Sequence, residues 1–472
     1  MIKLALPAGD LRTAVAGVLA AAGLNVEGYG EGSRSYVLNV GGREEIVARV
    51  FREKDIPIQI ALGSYDLGVC GMAWAEELRT RFPHHPVVPL RDLGVGRSGL
   101  YVAAASGGGR TLASLGRRGL RIASEYPNVA EAFALAARLP AYRVLAVWGA
   151  AEAYPPEDAD LAVIAAAGEA AVSAHGLTPL HCLMDSSAWL IANVDSLAKK
   201  DLRAVLDPLA AGAGAATPRL RLPPPLAAAN GGAGPVSRSA DAVRMALPDG
   251  HQQRHAVAAM REAGLLPPEG YDESQCLRRP QSPLPGLEIK VIRPQDMPQL
   301  VATGEIDLAV TGHDCLVEHL SRFPSSPVEE VADLQRGQYD LAAVASEAVP
   351  APDLGGALAH WRAQGREVIR VASEFPGIAD AYARSRHLGR YRVIPIAGAS
   401  EGFVPADAEL LIEGTETGRT LAENKLKAID LLFRSTTRLV ARKDHGLGGR
   451  RRDVFEQVVG AMRQAADARR AV

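Results

Sequence analysis

The chain repeats itself. LALPAGD at residues 4–10 returns as MALPDGH at 245–251, and KDIPIQIALGSYDLGVCG at 54–71 returns as QDMPQLVATGEIDLAVTG at 295–312, both shifted by 241. Farther on, RIASEYPNVAEAF at 121–133 returns as RVASEFPGIADAY at 370–382, and AYRVLAVWGAAE at 141–152 returns as RYRVIPIAGASE at 390–401, both shifted by 249. The shift changes once, by eight residues, between Leu93 and Arg121. So many blocks in register mark a tandem duplication with one loop-length difference. The period lies far above the roughly 20–50 residues of solenoid repeats, so each copy is expected to be a complete folding unit.

The copies run from 1 to 211 and from 241 to 472. Between them, 212–240 is rich in Pro, Gly and Ala and lacks periodicity, the signature of a linker. Within each copy, short apolar runs such as IKLAL, LYVAAA and YRVLAV alternate with helical patterns such as DLRTAVAGVLAAAG. That alternation predicts α/β layers with largely parallel strands.

Composition narrows the partners. A chain of 472 residues is too long for one core. A formal charge of −2 gives no case for nucleic acid or a membrane surface. The four cysteines, Cys70, Cys182, Cys276 and Cys315, form neither a disulfide framework nor a zinc ribbon, which suits a reducing cytoplasm. The apolar N-terminus is interrupted by Pro7, Gly9, Asp10 and Arg12, so it is not expected to be a secretion signal. No segment reaches the roughly 18 unbroken apolar residues of a membrane span.

One short run carries chemistry. AELLI at 408–412 reads as a strand, 413–419 as a turn, and TLAENKLKAIDLLF from 420 as a helix, with Thr420 and Glu423 spaced as a capping box. A strand-to-helix loop points free N–H groups at one place and favours an anion there. Gly418 permits close approach, Thr417 and Thr420 offer hydroxyls, and Arg419 adds charge, which suits phosphate. Glu413 and Glu416 would repel phosphate, but carboxylates there can accept from ribose hydroxyls or hold Mg²⁺. The run reads either as a phosphorylated-sugar loop or as an ordinary capped helix after a βα turn.

EGTETGRTLAENKL resembles the phosphoribosyl-pyrophosphate loop of ATP phosphoribosyltransferase, the first enzyme of histidine biosynthesis, whose pattern is roughly D-x-V-x-T-G-x-T-L-x-x-N-x-L. ALPDG, RPQDMPQLVATGEIDLAVTGHD, RVASEFP and STTRLVAR fall in that family's order, and both copies are covered nearly end to end. The resemblance implies a two-lobed fold like the type II periplasmic binding proteins. The first copy would have lobe I at 1–93 and 181–211 and lobe II at 94–180. The second would have lobe I at 241–334 and 431–472 and lobe II at 335–430. It also implies transfer of phosphoribosyl from phosphoribosyl pyrophosphate to N1 of ATP, with Mg²⁺. Thr417, Gly418, Arg419 and Thr420 would hold the 5′-phosphate and Glu413 and Glu416 the ribose. Arg293, in R-x-x-D, would contact pyrophosphate.

Departures from the family matter as much. Its L-P-K-G-R start has Ala8 and Asp249 at the lysine position, and Asp10 and His251 at the arginine position. In the first copy the loop is erased, with Ile164 at the first acid, Gly168 and Ala171 at the two threonines and Glu169 at the glycine. Catalysis is therefore expected in the second copy, with the first as a structural partner whose own cleft is idle, packed through its first lobe as an intramolecular pseudo-dimer. The alternative is a binding or regulatory paralogue without turnover. The chain ends one helix after STTRLVARKD, resembling the family's short form, which works with a regulatory subunit related to histidyl-tRNA synthetase. Three other signals are read conservatively. GVGRSG at 94–99 precedes a strand rather than a helix, which argues against a dinucleotide site. Asp66 and Asp307 read as either ligand-facing or structural, and His251 and His313 as surface or capped residues.

Overall fold

Val, Ile, Leu and Ala fill the short strands that the repeat carries twice, and the central strands, such as Ile2–Pro7 and Leu67–Gly71, are buried on both faces, as a parallel sheet covered by helices requires. The computed structural model describes residues 1–472 apart from 31–35, 108–110, 113–114, 116–118, 211–215, 227–240, 266, 399, 417 and 471–472. The first lobe of the first copy is a sheet ordered Val37–Asn39, Ile46–Phe51, Ile2–Pro7, Leu67–Gly71, Ala188–Asn193 and Val87–Asp92. The second copy repeats the last five as Leu287–Ile292, Val243–Pro248, Leu308–Gly312, Thr437–Arg442 and Val328–Asp333. Parallel registers match across the duplication: Ile2 pairs with Ile46 and Val243 with Leu287.

The second lobes repeat as well. One orders Leu177–Ser186, Ser98–Ala105, Leu161–Ala166, Leu120–Ser124 and Tyr142–Ala146; the other orders Leu426–Ser435, Tyr339–Ser346, Leu410–Thr415, Ile369–Ser373 and Tyr391–Pro395. The chain is thus α/β, two tandem copies of a two-lobed fold. The longer connection of the second copy holds the helix Leu354–Ala363.

Three sequence expectations need correction. The helix expected from 420 stops at Glu423, and Leu426–Ser435 is a strand paired along Tyr339–Ser346. Lys425 turns the chain at φ +55°, a left-handed conformation that ends a helix. Because that strand and its duplicate Leu177–Ser186 belong wholly to second-lobe sheets, the lobe boundaries fall after Ser435 and Ser186, not after 430 and 180. The linker is also partly ordered: Leu220 and Leu226 pack on the first copy, and Arg221 donates its backbone N–H to Leu183 at 2.6 Å.

The copies share cores. Phe51 and Tyr65 of one first lobe lie in the same cluster as Ile396, Phe403 and Val404 of the opposite second lobe, with the Phe51 and Phe403 rings edge to face at 4.9 Å. On the duplicated side, Tyr154 and Ala151 share a cluster with Ile292 and Met297. Arg49 donates to the Gly402 carbonyl, and Lys290, its duplicate, pairs with Asp158. Packing therefore joins the first lobe of each copy to the second lobe of the other, so the expected contact through the first lobe alone is half of the arrangement. A covered apolar face explains why the framework blocks recur in a copy without its phosphate loop.

Candidate functional site

The loop of the second copy begins where the strand Leu410–Thr415 ends, at the cleft between lobes. Glu413 is partly buried there: one carboxyl oxygen accepts from the Ser400 hydroxyl and the other from the Gly414 N–H at 3.0 Å. Burial, then the neighbouring Glu374 and Glu401, push its carboxyl well above the ordinary range. Glu416 is more than half exposed and faces Arg254 at 3.7 Å. Thr417 lies outside the described residues.

Gly418 sits at φ +69° as the N-cap of the helix Arg419–Glu423 and donates its N–H to the Thr415 hydroxyl at 3.0 Å. The left-handed turn suits glycine and leaves the loop free of a Cβ. The capping box is absent: Thr420 lies inside the helix, and Glu423 accepts from Arg419 at 2.9 Å. Register explains it, since the helix starts at Arg419, two residues earlier than a box with Thr420 as N-cap requires.

Arg293 stands across the cleft, where it donates to Asp249 at 3.1 Å. Asp249, at the lysine position of the resemblance, also takes Arg278 at 2.7 Å, and Arg278 reaches Glu152 of the first copy at 3.0 Å. The reversal of charge at 249 thus anchors two arginines. His251 lines the same cleft.

The cavity between the lobes, about 710 Å³, is lined by both copies. Arg52, Lys54, Trp74, Glu125 and Trp148 come from the first, and Arg293, Glu374, Glu413 and Glu416 from the second. Arg52 runs against Gly398 of the second copy, where a Cβ would lie 2.9 Å from its Nε. Arg293 runs against Gly149 of the first, where a Cβ would lie 2.7 Å from its Nε. The Arg52 and Lys54 charges oppose the burial that raises the Glu374 carboxyl. Sequence reading missed Arg52 and Lys54, although R-x-x-D stands intact in the first copy.

The erased loop is erased in structure too. Ile164 is 7% exposed where the second copy has Glu413, and the short helix there begins with Glu169. Asp66 and Asp307 are structural. Asp66 accepts from Lys3 N–H, Ser196 and Lys200, and Asp307 from Arg244 N–H and Arg451. GVGRSG leads into the strand Ser98–Ala105, as expected.

A family model, HisG, described as ATP phosphoribosyltransferase, matches residues 52–211 and 293–464, one stretch in each copy. The ATP phosphoribosyltransferase of Moorella thermoacetica is 32% identical over 231 residues, 47% of this chain and 92% of that protein. That of Gloeothece citriformis is 32% identical over 224 residues, 47% of this chain and 96% of that protein. Each relative therefore spans about one copy. Among solved structures, the ATP phosphoribosyl transferase (HisG:HisZ) complex from Thermotoga maritima is 19% identical and covers 48% of this chain and 99% of that one. The TM-score of that match is 0.38.

Proposed function

The chain belongs to the ATP phosphoribosyltransferase family, and we propose that its second copy transfers phosphoribosyl from phosphoribosyl pyrophosphate to N1 of ATP, releasing pyrophosphate, as the first step of histidine biosynthesis in the cytoplasm. The observation that carries this reading is the composite cleft: the loop of the second copy opens on a cavity whose cations come from both copies. As pyrophosphate departs, the ribosyl carbon gains positive charge and the leaving oxygens gain negative charge. Arg293, Arg52 and Lys54 are placed to take the leaving anion. Gly418, Arg419 and Thr420, with Thr417, hold the 5′-phosphate. Glu413 and Glu416 hold the ribose in this reading, Glu416 as a solvated carboxylate.

Mg²⁺ enters with the substrate in this reading. Among the described residues no group of three or more His, Cys, Asp or Glu is arranged to hold a metal, and both oxygens of Glu413 are already engaged. The residues do not make a protein cage for the ion. Magnesium of this kind usually rides on phosphates with few protein carboxylates.

A second reading, a binding or regulatory paralogue with weak turnover, is favoured by one observation: Asp249 neutralises part of the charge of Arg293. Incubating the full chain with ATP, phosphoribosyl pyrophosphate and Mg²⁺, with and without a regulatory subunit related to histidyl-tRNA synthetase, separates the two. Phosphoribosyl-ATP supports the enzyme; intact ligand binding without product under every condition supports the paralogue.

A further inference from the structure

The two second-lobe sheets end in matching edge strands, and one of the two is covered. Leu177–Ser186 and Leu426–Ser435 bulge at the same places, Leu180 with Ile429 and Leu183 with Leu432. In the first copy the ordered part of the linker crosses this edge, anchored by Arg221. The Arg221 backbone N–H donates to the Leu183 carbonyl at 2.6 Å, and its own carbonyl meets Nε2 of His181. Its guanidinium reaches Asp185 at 3.1 Å and Cys182 Sγ at 3.1 Å. Leu220 and Leu226 pack beside it, and Leu183 and Met184 are buried.

The second copy's edge has no such cover among the described residues. There, no backbone N–H makes the corresponding bond to the Leu432 carbonyl. Leu431 is 51% exposed, and Leu432 and Phe433, at the places of Leu183 and Met184, are only half-buried. The charge is reversed as well: Arg434 stands where Asp185 does, its side chain is 63% exposed, and it reaches Asp340 through Nε at 2.9 Å. Asp430, at the place of His181, holds the Arg386 guanidinium at 2.8 Å, so a donor remains beside the edge. None of these residues lines the cavity between the lobes. An open sheet edge is a template for an added extended segment, with main-chain bonds giving affinity and side chains giving specificity.

We propose that the edge Leu426–Ser435 is a docking site for an extended peptide segment of a partner protein, with an acidic residue at the position that Arg221 holds on the duplicate edge and leucine-like residues on either side. The peptide N–H at that position donates to the Leu432 carbonyl, its carboxylate meets Arg434, and the flanking apolar side chains cover Leu431 and Phe433. The linker on the first copy supplies the geometry of docking, and the reversal from Asp185 to Arg434 sets the charge of the occupant. The proposal does not depend on turnover in the second copy.

The test is fluorescence anisotropy of a labelled synthetic peptide, linker residues 217–226 carrying Arg221→Glu, titrated with the full chain. Saturable binding is expected, with the unaltered linker peptide about tenfold weaker because its arginine meets Arg434. Arg434→Asp in the full chain should reverse that preference, and Leu431→Lys should weaken both peptides about tenfold. Both side chains are exposed, and either variant alone decides the matter if the other folds poorly. No saturable binding of the Arg221→Glu peptide, or the same peptide preference in Arg434→Asp, overturns the proposal. So does a dimer of the unaltered chain in sedimentation that Leu431→Lys dissociates, which would give the edge to a second copy of this chain.

Discussion

The carboxylate of Asp55, in the first copy, accepts the backbone N–H of Ala397, in the second, at 2.9 Å. Its duplicate Asp296 accepts the N–H of Trp148, the duplicate of Ala397, and the Tyr154 hydroxyl at 3.2 Å. Both aspartates are buried. One residue of R-x-x-D thus ties the copies together while the other, the arginine, reaches the opposite cleft, so packing and chemistry are joined in one short motif.

Removing either tie should loosen the pair. Asp55→Ala and Asp296→Ala each leave a buried N–H unpaired, which costs about 1–3 kcal/mol. Thermal denaturation of the full chain checks this, and melting temperatures equal to that of the unaltered protein would contradict it.

The same carboxyls make stability depend on pH. Burial pushes Asp55 and Asp296 up to about 7, whereas in the unfolded chain they titrate near about 3.9. The folded state holds protons that the unfolded state has lost, so their stabilisation is complete below about pH 4 and fades as pH rises through about 7. The melting temperature should fall between about pH 5 and pH 8, and Asp296→Asn should shrink that fall. A melting temperature that rises over this window would contradict the account.

The duplication, the α/β class and the strand-to-helix turn of the second copy were legible because they rest on local pattern. LKAIDLLF was misread as helix because its apolar residues satisfy a helical period and no Gly or Pro marks the end at Lys425; long-range pairing with Tyr339–Ser346 decided it. The crossed packing of lobes was not legible, since contacts such as Phe51 with Phe403 link residues far apart in sequence. Arg52 carried a usable signal: the arginine of R-x-x-D is retained in the first copy although T-G-x-T is gone from it. The anchoring of Arg293 by Asp249 needed coordinates, because a reversed charge in sequence does not show its partner.

Gly149 offers a way to reach Arg293 from the other copy. A methyl group there would crowd the Arg293 side chain, lying 2.7 Å from Nε and 3.4 Å from Nη2. Gly149→Ala should therefore lower turnover in the second copy, with circular dichroism unchanged. Turnover equal to that of the unaltered chain would show that Arg293 tolerates displacement.

Cations facing a leaving group act mainly in the transition state. Arg293→Ala should reduce kcat by about 100-fold, the scale of losing one preorganised charge partner. Arg52→Ala, in the copy without a loop, should also reduce it. An Arg52 variant with unchanged kcat and KM would remove the first copy from the chemistry and leave it a packing role.

In the proposed reaction the second copy alone carries the phosphoribosyl loop. Calorimetric titration of phosphoribosyl pyrophosphate into the full chain tests it most directly, comparing the unaltered protein with Thr417→Ala/Thr420→Ala and with Glu169→Ala in the first copy. Binding lost in the double variant and retained in Glu169→Ala is the expected result; binding retained in the double variant and lost in Glu169→Ala would contradict the assignment.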